Sequence, residues 1–167
     1  MDIRKLAGQD ELVIREVVLD MAQKKGQVVH GTRALNEQTT TYLKRKTEDY
    51  DIFTENPKKS ARELAKTLKR RLGNDFKVVK GGHPGTFKVK RGEKTIVDYT
   101  QRRSPIKSKK VLGVRYKDIG TIKKGTQKLV KKKGLEFRRT KDIDTLERIR
   151  EVERIHSMFW NYYNTFQ

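Results

Sequence analysis

Apolar residues return at three-to-four spacing over 10–25, where Val13, Ile14, Val17, Val18 and Met21 are separated by Glu11, Arg15, Glu16 and Asp20. That is the period of an amphipathic helix, and Gly26 stands where such a helix stops. A short apolar step over 27–30 leads into the turn Gly31-Thr32-Arg33-Ala34-Leu35-Asn36, then into a polar loop or frayed helix over 39–47. Over 49–54 the pattern alternates and carries Tyr50, Ile52 and Phe53, which predicts a strand. Asn56-Pro57 opens a second helix, because proline is tolerated in a first turn, and Ala61, Leu64, Ala65, Leu68 and Leu72 form its buried stripe. Gly73-Asn74 closes it. Three short strands follow over 76–80, 86–91 and 94–100, with turns at Gly81-Gly82 and Arg91-Gly92. A helical period over 116–133 rests on Ile119, Ile122, Leu129 and Val130, and a last helix over 140–162 on Ile143, Leu146, Ile149, Val152, Ile155 and Phe159. The aromatic end over 158–166 is expected to dock on the core. The order predicts an α+β fold of α/β type, a small mixed sheet flanked by helices with helices at the C-terminus. The expected division is a core over 1–100, and a basic segment with C-terminal helices over 101–167 packing on it.

Composition narrows the chemistry. The chain of 167 residues has no Cys, which excludes disulfide scaffolds, thiolate metal sites and Cys nucleophiles. His30, His83 and His156 are too few for a His-rich zinc site. No run approaches the ~18 apolar residues of a membrane span, and the N-terminus has no apolar signal core, so a membrane-spanning or secreted protein is not expected and a cytoplasmic location is. Forty-one basic residues against 21 acidic give a formal charge of +20, which attracts polyanions. Nucleic acid is the leading partner; an anionic membrane surface or plain surface chemistry is the alternative. Thirteen basic residues over 101–135 meet only Asp118, and read either as a nucleic-acid flank or as a solvated helix face. Tyr99, Tyr116 and Phe137, spaced nearby, either stack bases or pack in the core.

Asp49 and Asp51 sit at i and i+2 on the predicted strand, so their carboxylates share one face about 7 Å apart along the chain. They read as solvated acids, or as ligands for a divalent cation, with Asp98 on a neighbouring strand. Upstream, Gly31 lets the backbone approach a phosphate, Thr32 adds a hydroxyl and Arg33 could clamp phosphate oxygens; an ordinary strand-to-helix turn is the alternative. Gly81-Gly82-His83-Pro84-Gly85-Thr86-Phe87-Lys88 reads as a plain hairpin, or as a loop that brings Gly85, Thr86 and Lys88 or His83 to a nucleotide.

In this order the elements resemble the nucleotidyltransferase superfamily of polymerase-β type: Val29-His30-Gly31-Thr32, then Asp49-Tyr50-Asp51-Ile52, then Ile96-Val97-Asp98. They are most similar to the poly(A)-polymerase-like catalytic proteins of large DNA viruses, through Gly31 to Asn36, residues 49–53, Gly82-x-x-Gly85-Thr86-Phe87-Lys88-Val89 with Asp98-Tyr99-Thr100, and the stretch 137–146. The resemblance covers residues 25–150. The departures are Thr32 for the usual Gly or Ser, Arg33 for a small residue, His30 for an apolar one, and a spacer of sixteen residues between Thr32 and Asp49. The resemblance implies that Asp49, Asp51 and Asp98 are catalytic and hold two Mg²⁺ (or Mn²⁺) ions. Gly31, Thr32, Arg33, Asn36, Gly85, Thr86 and Lys88 would bind an NTP, by this resemblance ATP. The activity implied is addition of nucleotides to a nucleic-acid 3′-hydroxyl, of RNA in the first instance, with release of pyrophosphate. The alternatives are a non-catalytic nucleic-acid-binding protein on the same scaffold, and nucleotidyl transfer to a protein hydroxyl, against which the positive charge counts.

Overall fold

The computed structural model describes residues 3–166; Met1, Asp2 and Gln167, which the expected domain bounds include, lie outside the described residues. In chain order the elements are α1 (Ile3–Lys24), β1 (Val28–His30), α2 (Gly31–Glu37), β2 (Tyr50–Thr54), α3 (Pro57–Leu72), β3 (Phe76–Lys80), β4 (Thr86–Arg91), β5 (Lys94–Gln101), β6 (Ser108–Val111), β7 (Val114–Lys117), α4 (Ile119–Lys131) and α5 (Arg139–Thr165). The strands form one mixed seven-stranded sheet in the order β3-β4-β5-β2-β1-β7-β6. β2 runs parallel to β5 and β1 parallel to β7, while the other neighbours are antiparallel.

Alternation on the strands decides which face is buried. Along β2, Tyr50, Ile52 and Thr54 are buried, whereas Asp51 and Phe53 are half-buried on the other face. The buried face packs Ile52, Val89, Val97 and Tyr99 against Val18 of α1 and Leu64 and Leu68 of α3, all fully enclosed. α3 starts where predicted: Asn56 Oδ1 accepts from the Lys59 N–H at 3.1 Å, and Pro57 supplies the first turn. Beneath the sheet, Gln27 Nε2 donates to the hydroxyls of Thr54 and Ser60 at 3.3 and 3.2 Å and these lie 2.9 Å apart, while the buried Gln27 Oε1 has no partner among the described residues. With one face held by this core, the opposite face is left to carry polar side chains.

Four expectations on the elements are corrected. α1 begins at Ile3, well before residue 10, and the turn over 31–36 is a short helix, α2. Tyr116 and Lys117 belong to a strand, not to the next helix. The hairpin β6–β7 turns through Leu112 (φ 49°) and Gly113 (φ 82°), the left-handed pair that suits a two-residue connection. Its alternation buries Val114 and Tyr116 and exposes Arg115, and its pairing with β1 makes the start of the basic segment part of the sheet. α4 starts instead at Ile119, with Asp118 Oδ2 capping the Gly120 and Thr121 N–H groups at 3.0 and 3.3 Å. Finally, the aromatic end does not dock. The buried residues of α5 end at Val152, and Phe159, Trp160, Tyr162 and Phe166 beyond it are 66–73% exposed. Among the described residues no helix is long and apolar enough to cross a membrane.

Candidate active site

The register of four strands builds one row on the open face of the sheet. His30 of β1 pairs with Asp51 of β2, Asp51 with Asp98 of β5, and Asp98 with Lys88 of β4. Paired residues project to the same side, so the row reads His30, Asp51, Asp98, Lys88 across the sheet. Asp49, two residues before Asp51, joins them. Carboxylate oxygens of Asp49, Asp51 and Asp98 all lie within 4.8 Å of one another, each residue half-buried.

Three acids this close repel. Burial, first, and then the charges of Asp49 and Asp98 push the Asp51 carboxyl up to about 6 from its ordinary 3.8, against the partial relief of Lys141 and Lys88. Asp98 Oδ1 is enclosed and has an ion-pair contact with Lys88 Nζ at 3.3 Å but no hydrogen-bond donor aligned on it. A buried carboxylate oxygen without a donor, facing two more carboxylates, is a set of hard oxygen donors short of positive charge. A divalent cation fits that deficit, and Asp49, Asp51 and Asp98 could hold one.

Gly31 is explained by the same carboxylate. Its φ is +67°, and a Cβ there would stand 2.4 Å from Asp51 Oδ2, so only glycine lets β1 turn into α2 beside the acid. His30 stacks on Phe53 with centroids 3.8 Å apart, and Lys117 Nζ lies 5.7 Å from the Phe53 ring. Burial, helped by Lys117, holds the imidazole far below its usual range, at about 3, so it is neutral. The stack walls one side of the acidic cluster with aromatic surface.

The other expected residues divide. Lys88 is in the site, paired with Asp98. Thr86 is on the same face two residues away, but its hydroxyl is buried and within 3.3 Å of Thr100 Oγ1. Gly85 (φ +78°) makes the turn before it, its carbonyl accepting from Gln101 N–H at 2.9 Å. Thr32 is half-buried at the start of α2. Arg33 and Asn36 are placed differently from a phosphate clamp. Arg33 donates to the carbonyls of Asp49, Thr47 and Glu48 at 2.6, 3.4 and 3.2 Å, and its guanidinium lies 3.6 Å from the centroid of the Tyr50 ring. Tyr50 belongs to the core face, so Arg33 is turned away from the acids and ties down the chain that delivers Asp49. Asn36 pairs with the backbone of Arg45 in both directions, at 2.7 and 2.9 Å. Both polar side chains thus spend their hydrogen bonds on the loop over 44–49. Of the aromatic residues considered for stacking, Tyr99 and Tyr116 are core and Phe137 is 85% exposed.

Lys117, Lys141 and Gln38 are participants that sequence reading passed over. Gln38 Nε2 donates to the carbonyls of Ala34 and Lys117, and its Oε1 accepts from Ile119 N–H, which staples α2 to the junction of β7 and α4. The one available signal was that Lys117 directly precedes the helix-capping Asp118.

No model of a known protein family matches the sequence, and no curated protein matches it. Among solved structures the chain is similar to the Megavirus polyadenylate synthase, with a TM-score of 0.77 at 18% identity over 87% of this chain and 32% of that one. Weaker likenesses are to JHP933 from Helicobacter pylori, at TM-score 0.49 and 17% identity over 83% of this chain and 63% of that one, and to an antigenic nucleotidyltransferase-like protein from Paracoccidioides brasiliensis, at 0.46 and 17% over 81% and 74%. The chain spans about a third of the length of the viral synthase. Over 87% of its own length the chain has the fold found in the Megavirus polyadenylate synthase.

Proposed function

We propose that the protein is a metal-dependent nucleotidyltransferase that adds nucleotides from an NTP, ATP in the first instance, to the 3′-hydroxyl of a nucleic acid, RNA in the first instance. The observation that carries this reading is the convergence of Asp49, Asp51 and Asp98 within 4.8 Å on the open face of such a fold. Two bound Mg²⁺ ions would supply neutralisation of the triphosphate and a more acidic 3′-hydroxyl. The chain's own part is positioning. Asp49 and Asp51 hold the cations, Gly31 leaves room for Asp51, and Arg33 fixes the backbone on which Asp49 stands. Asp98 takes the hydroxyl proton as the 3′-oxygen bonds to the α-phosphorus and the bond to pyrophosphate breaks. Lys88 keeps the Asp98 carboxylate oriented and, with Thr32, faces the phosphates. Such placement of charge supplies most of the rate in phosphoryl-type transfers.

The Lys88–Asp98 ion pair favours a second reading, in which the lysine replaces the cation and the protein binds nucleic acid without turnover. Incubation with labelled ATP, Mg²⁺ or Mn²⁺, and a short RNA or DNA separates the two. We expect extended products with the wild type and none with Asp49→Ala or Asp98→Ala, at unchanged folding. Wild-type rates in either variant would refute the site assignment, and no product from any acceptor would leave the binding role.

A further inference from the structure

α3 carries a charge pattern that the acidic site does not use. Arg62, Lys66, Lys69 and Arg70 are exposed at i, i+4, i+7 and i+8, on one side of the helix. Among the described residues no carboxylate pairs with any of the four, whereas the helix's one acid, Glu63, is taken by Lys25. Like charges one turn apart destabilise a helix unless an external anion lies between them. The four line a groove of about 440 Å³ between α3 and the edge strand β3, with Ala65 and Val78 as its floor.

The groove adjoins the site around one edge of the sheet. Val79, next to Val78, pairs with Lys88 and so ends the row that contains Asp51 and Asp98. Three strand spacings separate Asp51 from β3, about 14 Å. Lys88, Lys90 and Lys77 lie on the intervening open face, the last two sharing Glu93 at 3.7 and 3.9 Å. Cationic side chains thus lead from the acids over the β3 edge to α3. No large apolar side chain of α3 or β3 is exposed among the described residues, which leaves nothing to enter a lipid surface. No aromatic residue lines the groove, so it offers phosphates a seat and bases none.

We infer that the groove between α3 and β3 binds the phosphate backbone of a nucleic-acid strand whose 3′ end lies at the acidic cluster. This rests on the proposed transferase reading for the end that is held, not for the charge that holds the strand. The path from Asp51 to β3 corresponds to roughly four nucleotides at a ~3.4 Å rise, and the ~12 Å from Arg62 to Arg70 to three or four more. A strand of four nucleotides therefore stops short of the groove and one of fifteen fills it.

The test measures anisotropy of fluorescein-labelled oligo(A) RNA of four and of fifteen nucleotides in EDTA, with the wild type, with Lys66→Glu/Arg70→Glu and with the milder Lys66→Gln/Arg70→Gln, each checked by circular dichroism. We expect the charge reversal to weaken the fifteen-mer at least ~10-fold and to lower its slope of log affinity on log salt by about 1.4, two contacts' worth for a single strand. The four-mer should be unchanged, and the neutral pair should fall between. Equal affinity and slope for the fifteen-mer in all three proteins would overturn the inference. So would full competition by poly-glutamate at matched charge, which would assign the groove to acidic protein. Because the assay needs no turnover, α3-dependent binding without any nucleotide transfer would refute the transferase reading and leave the groove. Transfer with α3-independent binding would do the reverse.

Discussion

Asp51→Asn should make the metal-free protein more stable, although it removes a residue placed at the centre of the site. Burial, Asp49 and Asp98 lift the carboxyl from 3.8 to about 6, so the folded protein holds the Asp51 proton more tightly than the unfolded chain does. A group raised in this way contributes its stability fully below pH ~3.8 and loses it as pH rises through ~6. Two pH units at 1.36 kcal/mol each put the burden of the ionised carboxylate at about 3 kcal/mol above pH 6. The amide keeps the shape and drops the charge. Urea unfolding in EDTA should therefore show Asp51→Asn about 2–3 kcal/mol more stable than wild type at pH 8, a rise in Tm of about 5–10 °C for a chain of this size. The gain should shrink toward nothing at pH 4. Added Mg²⁺ should raise the Tm of the wild type and leave the variant unmoved, reversing their order. A variant less stable than wild type at pH 8, or a gain that persists at pH 4, would show that the acids are not in electrostatic conflict.

Three other outcomes check separate parts of the structure. Gly31→Ala combines a φ of +67° with a Cβ 2.4 Å from Asp51 Oδ2, and should cost about 1–2 kcal/mol in urea unfolding while abolishing the Mg²⁺-dependent rise in Tm. Arg33→Ala leaves three carbonyls and a stacked ring without their partner, and should cost about 2–4 kcal/mol; Arg33→Lys should recover little of it, because an ammonium cannot reproduce the fork. A change below about 0.5 kcal/mol would mean that the loop before β2 does not depend on this guanidinium. Trp160, the chain's single tryptophan and 66% exposed, should emit as a hydrated indole and be quenched freely by acrylamide. Protected, blue-shifted emission would mean that the aromatic end is covered.

Much of the architecture was legible because single residues carried unambiguous instructions. Asn56 and Pro57 start α3, a 3.6-residue apolar stripe buries it, and alternation marks β2 through β5. The hairpin β6–β7 was hidden by its own charge. Only Val111, Leu112, Val114 and Tyr116 are clearly apolar over 108–117, a stretch otherwise dominated by lysine and arginine, so helical anchors further along drew the boundary three residues too early. The aromatic end misled for the opposite reason: apolar residues at a chain terminus imply a core, but burial depends on what lies alongside, and α5 outruns the elements that cover its first half. Arg33 and Asn36 show a third limit. A guanidinium or amide beside a glycine turn suits a phosphate and a backbone carbonyl equally, and only the folded path of residues 44–49 decides between them.

The acidic cluster itself depends on a fact that no local pattern contains. Asp49 and Asp51 share a face by strand period alone, but Asp98 joins them only because β5 inserts beside β2 in parallel, past α3, β3 and β4, with Asp51 opposite Asp98. A slip of one residue in that register would send Asp98 into the core face and bring Val97 or Tyr99 to the acids. What prevents the slip is burial. Val97 and Tyr99 are fully enclosed against α1 and α3, and exchanging either for Asp98 would place an unpaired carboxylate in the core. The residues that fix the chemistry are therefore, in part, the apolar ones on either side of Asp98. The core face holds the register, and the register assembles three repelling carboxylates that the chain would not otherwise bring together.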